Sequence, residues 1–165
     1  MFIETERTKI ETFTLELIDA ALSGNADELA RLGYHGNGEW PEPDLLEALP
    51  VFRELIVENG INGFNSWLIS DKKNGRIFGS IGFIGNPDET GGAEIGFGIV
   101  PGQRRKGYCL EALGALVEWA KSSKTLNHIK AQCEPANEAS KKILEKSGFK
   151  MTGSIDGLYQ WELRF

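Results

Sequence analysis

Residues 93–121 constrain the fold more strongly than any other part of the chain, because a strand, a basic turn and a helix follow one another without a linker. Every second residue from Ile95 to Ile99 is apolar, and the residues between them are glycines that follow Glu94. This period of two predicts a strand with one apolar face and one face of small residues. Pro101-Gly102 ends the strand, and the apolar positions from Leu110 to Trp119 then recur at helical spacing.

The turn between this strand and this helix combines positive charge with a glycine. Arg104, Arg105 and Lys106 carry the charge, and Gly107 lacks a Cβ, so an anion can approach its backbone closely. The first backbone N–H groups of the helix have no intrahelical partner and carry the positive end of the helix dipole. Residue chemistry alone leaves two interpretations open, a solvated basic turn in front of a core helix and a site for phosphate groups.

The order of residues in this turn matches a known signature. Arg104-x-x-Gly107-x-Cys109 resembles the Gln/Arg-x-x-Gly-x-Gly/Ala signature of the GNAT acetyltransferases. The wider string EIGFGIVPGQRRKGYCLEAL is similar to their RimJ/RimL-type branch, whose members acetylate protein N-termini and small amines. Two departures are visible, because Cys109 stands where glycine or alanine is usual and Arg105 stands where many relatives have another glycine. Cysteine is small, so we expect the turn to be preserved, and Arg105 offers a further phosphate contact.

A second stretch, near the C-terminus, carries the same resemblance. Asn137-x-x-Ser140 followed by Lys146-Ser147-Gly148-Phe149 resembles the Asn-x-x-Ser/Ala…Lys-x-Gly-Phe motif of these enzymes. Asn137 also fits a helix N-cap, and Ser140 fits a small residue that permits close packing, with or without a further function. The resemblance covers residues 66–165 well and the first third loosely.

Composition and length set the remaining limits. A chain of 165 residues is long enough for one domain with a proper core, so we predict a single domain over residues 1–165. A net charge of −6 argues against nucleic-acid binding. No metal-ligand spacing, signal region or apolar run of bilayer length appears, and Cys109 and Cys133 lie in apolar patterns typical of reduced thiols. We therefore expect a cytoplasmic protein without a metal or a membrane partner, either monomeric or homodimeric.

The resemblance implies an α/β (α+β) GNAT fold, with a mixed, mostly antiparallel central sheet of about seven strands and helices on both faces. The pattern itself predicts a first strand at Arg7–Thr12 and a helix at Thr14–Leu22. A further helix is predicted to begin at a cap at Asp44 and to be interrupted or restarted at Pro50.

Turn signals and aromatic residues complete the prediction of the fold. Lys73-Asn74-Gly75 and Asp156-Gly157 predict hairpin turns. Tyr34 and Trp40 are interpreted as partly buried anchors of a long irregular loop ahead of the central strands. In the GNAT superfamily the helices ahead of the central strands build the acceptor pocket, so the resemblance gives this loop a role near the substrate.

The resemblance also implies where acetyl-CoA binds. The cosubstrate is expected between the splayed ends of the strands that finish near Val100 and Cys133, with its pyrophosphate on the turn Arg104–Cys109. Its pantetheine arm is expected to pair with the backbone around Ile99 and Val100 like an added strand. The predicted cofactor-binding residues are Ile99, Val100, Arg104, Arg105, Lys106, Gly107, Tyr108, Cys109, Asn137 and Ser140.

Acetyl transfer to an amine needs a base for the amine, a donor for the oxyanion and help for the departing thiolate. Glu94 is the predicted base, directly or through water, because it shares the small face of the strand with the glycines; the alternative is an exposed strand carboxylate. Ser140 is the predicted hydrogen-bond donor to the leaving sulfur. Leu144 occupies the position where many relatives carry a tyrosine, which argues against a tyrosine acid on this helix.

These observations predict an N-acetyltransferase that moves the acetyl group of acetyl-CoA to a primary amine by direct attack. The acceptor is a protein N-terminus or a small-molecule amine, and the sequence does not separate the two. The alternative is a non-catalytic CoA-binding regulatory module on the same fold. A peptide- or RNA-binding domain is disfavoured by the acidic charge and by the lack of a basic-aromatic surface pattern.

Overall fold

One sheet of eight strands runs through the chain, and the computed structural model describes residues 1–165. Five helices flank the sheet. The strands are β1 Phe2–Glu4, β2 Thr8–Thr12, β3 Ser66–Asp71, β4 Ile77–Phe83, β5 Gly92–Ile99, β6 His128–Cys133, β7 Lys150–Ile155 and β8 Leu158–Arg164. The helices are α1 Leu15–Ser23, α2 Ala26–Arg31, α3 Pro43–Asn59, α4 Tyr108–Ser123 and α5 Glu138–Lys146.

The strand order is β1-β2-β3-β4-β5-β6-β8-β7, and only β5 and β6 pair in parallel. The predicted fold class is therefore confirmed, including the antiparallel run of β3, β4 and β5 and the parallel return through α4. The sheet has one strand more than expected. The extra strand, β1, has three residues and pairs with β2 in the register Ile3 to Ile10, and so short a segment has no period for the sequence to display.

The pairing of β5 with β6 ends long before either strand does. Only Gly92, Ala93 and Glu94 pair with β6, opposite His128–Lys130. β5 continues to Ile99 and β6 to Cys133, so the two strands diverge and leave a gap in the middle of the sheet. The backbone groups that face the gap lose their ladder partners, and such groups need another hydrogen-bond partner.

Helices cover both faces of the sheet, and neighbouring residues of β3 show this directly. Trp67 and Ile69 are fully buried in a core shared with α4, whereas Leu68 between them belongs to a second core with α1 and α3. Alternate side chains of a strand point to opposite faces, so two separate cores follow from one continuous sheet. Ile18 and Leu49 contribute the helical side of the second core.

The third helix corrects two local predictions. It begins at Pro43, with Glu42 in the N-cap position and without a side-chain cap, so Asp44 does not cap it. Proline at the first helical position supplies the correct φ and lacks an N–H that would be unpaired there anyway. Pro50 lies inside the helix and does not interrupt it. Pro50 is exposed, so water can bond the carbonyl it leaves free, while buried Leu49 holds the turn in place.

Both predicted hairpin turns are present, and each uses residues with positive φ. Gly75 has a φ of 76° between β3 and β4, and Asp156 and Gly157 have φ of 51° and 80° between β7 and β8. Two consecutive positive φ values are typical of the type I′ turn. No helix combines the length and the apolar character needed to cross a bilayer.

Candidate active site

The gap in the sheet opens into a cavity of about 1040 Å³. Its walls come from the end of β5, the turn after it, the start of α4, one face of α5 and the segment just before α3. These elements therefore surround a single space, and residues far apart in the sequence meet there.

The floor of this cavity is the unpaired edge of β5. Ile84 N–H donates to Glu94 O and Val100 N–H donates to Phe78 O, so the even-numbered residues of β5 turn their backbone groups towards β4. Backbone groups alternate along a strand, and those of Phe97 and Ile99 consequently face the gap. Arg104 Nε donates to Ile99 O at 2.9 Å and occupies one of these groups.

The turn after β5 presents open N–H groups at one end of the cavity. Arg105 and Gly107 adopt positive φ of 63° and 83°, and Gly107 is the N-cap of α4 with no side-chain cap. The first N–H groups of α4 therefore have no side chain in front of them, which suits an anion. Arg7 Nη1 donates to Lys106 O at 2.8 Å, which ties the turn to the residue just before β2.

Four cationic side chains line the cavity, and the sequence predicted two of them. Arg104 and Arg105 were expected from the turn, whereas Lys142 and Lys146 on α5 were not. The sequence did contain a signal for these two lysines. Both have helical spacing with Ala139 and Ile143 and share one helix face with them. Lys106 does not line the cavity, and its ammonium donates to Gly102 O and Gln103 Oε1 instead.

Helix α5 brings its first turn to the cavity. Asn137 caps the helix by accepting a hydrogen bond from Ser140 N–H at 3.0 Å, and both residues line the cavity. The cap predicted for Asn137 is present. Ile143 also lines the cavity, but Leu144 is buried in the core at 1 % exposure, so the position where relatives often carry tyrosine faces away from the cavity.

At the start of α4, an aromatic ring and a thiol meet the cavity. The Tyr108 ring stacks on Phe78 with centroids 3.9 Å apart, and Arg7 lies over its ring at 4.8 Å. Cys109 is buried and not in a disulfide, and its burial raises the pKa of the thiol to about 12. This thiol is therefore neutral at neutral pH and a poor nucleophile.

Glu111 has a structural role. It accepts hydrogen bonds from Thr5 Oγ1 and from the backbone N–H and Nε of Arg7. Partial burial opposes ionisation of the carboxyl, but these donors outweigh it and lower the pKa of Glu111. The carboxylate therefore fastens the segment between β1 and β2 to α4.

The opposite wall of the cavity is acidic. Glu39, Glu42 and Asp44 line it, and the last two also line a second cavity of about 240 Å³ on the β4 side. These carboxylates were not predicted for the site, because no local motif connects them to β5. Their segment is fixed by the predicted aromatic anchor Trp40, which is buried and whose Nε1 donates to Ser80 Oγ at 2.9 Å.

Besides Lys106, two residues predicted for the site lie outside both cavities. Glu94 stands on the small face of β5, opposite Lys130 in the register with β6, and lines neither cavity. Val100 is buried, and its N–H bonds to β4. No group of three or more His, Cys, Asp or Glu side chains is placed to hold a metal ion.

Comparison with known proteins decides the family. The family described as acetyltransferase (GNAT) domain matches residues 7–150. The chain belongs to the GNAT acetyltransferase family. The uncharacterized N-acetyltransferase YjdG of Bacillus subtilis (strain 168) is 47% identical over 150 residues, which cover 90% of this chain and 89% of that protein. This GNAT protein is therefore an N-acetyltransferase, and enzymes of the family use acetyl-CoA.

Solved structures agree with the GNAT fold. A RimL ribosomal L7/L12 alpha-N-protein acetyltransferase in complex with coenzyme A superposes with a TM-score of 0.72 at 14% identity, covering 100% of this chain and 98% of that one. A putative ribosomal-protein-serine acetyltransferase from Vibrio cholerae gives a TM-score of 0.71 at 16% identity, covering 100% and 98%. At such low identity the likeness establishes the GNAT fold and leaves the acceptor open.

Proposed function

We propose that this GNAT enzyme transfers the acetyl group of acetyl-CoA to a primary amine by direct attack of the amine on the thioester. The observation that carries the proposal is the divided sheet, whose unpaired β5 edge runs into a cavity with an open helix N-terminus at one end. A long ligand with an amide-rich arm and a phosphate-bearing end matches these two features in order.

The cofactor end of the cavity fits the phosphates of CoA. The open N–H groups of α4 and the cations Arg105, Lys142 and Lys146 surround the space where the pyrophosphate is expected. Phosphate oxygens accept hydrogen bonds from such groups, and the positive charges offset the phosphate charge. The backbone groups of Phe97 and the N–H of Ile99 are the expected partners of the pantetheine arm, since Arg104 already occupies Ile99 O.

Ser140 is proposed to assist departure of the thiolate. The residue lines the cavity, and its backbone N–H donates to Asn137 Oδ1 while its hydroxyl makes no hydrogen bond within the protein. A serine hydroxyl is too weak an acid to donate its proton fully, so its contribution is a hydrogen bond that strengthens as charge develops on sulfur. A free backbone N–H of β5 is the proposed donor to the oxyanion.

The proposed acceptor class is a protein N-terminus or a small amine. Support comes from the family and from structural neighbours whose names state an action on ribosomal proteins. The acidic wall at Glu39, Glu42 and Asp44 is compatible with a protonated amine. Glu94 was predicted as the base for that amine, but its position outside both cavities gives the prediction no further support.

Thiol release from acetyl-CoA tests the proposal. The enzyme is mixed with acetyl-CoA and a panel of amines, namely peptides that begin with alanine or serine, spermidine and tyramine, while calorimetry measures CoA binding separately. We expect CoA to bind and at least one amine to accelerate thiol release with formation of its acetyl amide. Binding without amine-dependent release would contradict catalysis and support a regulatory module, and no binding would contradict the cofactor site itself.

A further inference from the structure

One carboxylate of the acidic wall differs from its neighbours in position. Glu42 and Asp44 both line the main cavity and the smaller one, so both stand where the two spaces join. Asp44 is exposed, whereas Glu42 is half-buried. A Cβ built on Gly98 would lie 3.3 Å from Glu42 Oε1, which places the carboxylate directly over the small face of β5.

This position lies beside the free edge of the strand. Gly98 stands between Phe97 and Ile99, the residues whose backbone groups face the gap. Because Glu42 lines both cavities, its carboxylate is available to a group that binds along this edge and reaches the smaller cavity. The absence of a side chain at residue 98 is what leaves room for that carboxylate, since a methyl group there would be in contact with it.

The carboxylate of Glu42 serves neither as a helix cap nor in an ion pair. It occupies the N-cap position of α3 without a side-chain cap, and none of the ion pairs of the structure includes it. By contrast, Glu39 accepts hydrogen bonds from Gly102 N–H at 3.1 and 3.2 Å. Arg104, the cation that acts on Glu42, is itself bonded to Ile99 O.

The surroundings keep this carboxyl available for proton exchange. Burial raises the pKa of Glu42, and the negative charges of Asp44 and Glu39 act in the same direction, against its own backbone N–H and Arg104. A carboxylate with a raised pKa binds a proton more readily than an exposed one. The carboxylate is also held in place, because Trp40, two residues earlier, is anchored to Ser80.

We propose that Glu42 is the general base that deprotonates the acceptor amine. The proposal rests on the acetyl transfer proposed above. The carboxylate removes one proton from the bound ammonium, and the freed lone pair forms the C–N bond with the thioester carbon. The C–S bond then breaks with its electron pair on sulfur, and the second ammonium proton passes from the new amide nitrogen to the thiolate. Glu42 returns its proton to water through the open cavity.

The pH profile of Glu42→Gln tests the assignment, with Glu47→Gln as the matched control. Glu47 lies on the same helix, is exposed and lines neither cavity. The measurement is kcat/KM for the most active amine of the panel at saturating acetyl-CoA, with CoA affinity by calorimetry. Between the pKa of Glu42 and the higher pKa of the amine, the wild type and Glu47→Gln should show a plateau, because ionised Glu42 removes the proton from the ammonium.

In Glu42→Gln only the free amine reacts, so kcat/KM should rise about tenfold per pH unit towards the pKa of the amine. The loss relative to the wild type should be about 10²- to 10⁴-fold at neutral pH and should shrink as pH rises, with CoA affinity unchanged. A purely structural role would lower all rates equally and leave the plateau.

Two results would overturn the assignment. One is a plateau in Glu42→Gln, whether its rate is near that of the wild type or uniformly lower. The other is a plateau in Glu42→Gln together with its loss in Glu94→Gln, which would return the role of base to Glu94. Both results require a wild type that binds CoA and acetylates the amine, so failure of this assignment is distinct from failure of the proposed function.

Discussion

The two ends of the main cavity are built in opposite ways. The cofactor end is nearly continuous in sequence, from Ile99 through the turn to Leu110, and α5 adds its cations. The opposite end, proposed for the acceptor, brings Glu42 against Gly98, far along the chain, and Trp40 holds the segment that carries it. Phosphate binding needs backbone N–H groups that one turn can supply, whereas placement of a proton acceptor needs contacts between distant segments.

Ser140→Ala should give the largest effect on the cofactor side. Turnover should fall about 10- to 1000-fold with little change in CoA affinity, because the hydroxyl acts only as charge develops on the departing sulfur. Single-turnover rates under saturating substrates measure the effect, so that slow product release cannot hide it.

Ser147→Ala is the control for this change. Ser147 ends the same helix, and its buried hydroxyl has no hydrogen-bond partner, so its removal should leave turnover unchanged. A single-turnover rate in Ser140→Ala within about two-fold of the wild type would make Ser140 a packing residue. The role of α5 would then be confined to its two cavity lysines.

Gly107→Ala should weaken CoA binding about tenfold or more, which is about 1.4 kcal/mol. The φ of 83° at Gly107 is unfavourable for alanine, and the added methyl group would lie 3.2 Å from Arg7 Nη2, on the turn proposed to receive the pyrophosphate. Calorimetry with CoA measures the loss.

Gly114→Ala provides the matched comparison in the same helix. A methyl group at Gly114 meets nothing within 4 Å, so this variant should gain about 1 kcal/mol of stability and bind CoA normally. Equal affinities of the two variants for CoA would place the pyrophosphate elsewhere.

Removal of both Arg104 and Arg105 tests whether the cationic end acts through charge. Raising the salt concentration should weaken CoA binding of the wild type about two- to fivefold more than that of Arg104→Ala/Arg105→Ala. The control is Arg31→Ala/Arg76→Ala, which removes the same charge from exposed positions away from the cavity. If all three proteins showed the same salt dependence, the two arginines of the turn would be solvated side chains whose charge does not contribute to CoA binding.

Trp40→Phe should have the smallest effect on rate and should act on the acceptor end alone. Loss of the bond from Nε1 to Ser80 Oγ should lower the free energy of unfolding by about 1–2 kcal/mol. KM for the amine should rise while CoA affinity stays constant, because the anchor positions Glu42 and not the turn. A matched rise in the Kd of CoA would show that the two ends are not independent.

The same contrast explains what the sequence could predict. The turn Arg104–Cys109 and the helix after it are marked by local patterns, namely the turn residues and the helical spacing of apolar residues. The cap at Asn137 likewise lies within one helical turn of Ser140. Their structure depends on neighbours in the chain, so local patterns sufficed.

The parts that escaped prediction depend on distant partners. β1 has three residues and exists because β2 pairs with it, and α3 continues through Pro50 because its buried face holds it. Glu42 gives no local signal, since only the folded chain brings it to Gly98. Glu94 was predicted because it shares a strand face with the glycines. That face extends well beyond the cavity, so sharing it does not fix the distance of Glu94 from the site.

The early end of the β5–β6 ladder has a consequence for how the molecule responds to its supply of acetyl donor. Everything after α4 is joined to the rest of the sheet by three residue pairs. A ligand that bonds to the edge of β5 at Phe97 and Ile99 would replace the missing rungs. The amide hydrogens of these two residues should then exchange quickly with deuterium in the free protein and slowly at saturating CoA. If CoA binds as proposed, the hydrogen-bonded ladder across the middle of the sheet would be complete only while the cosubstrate is bound.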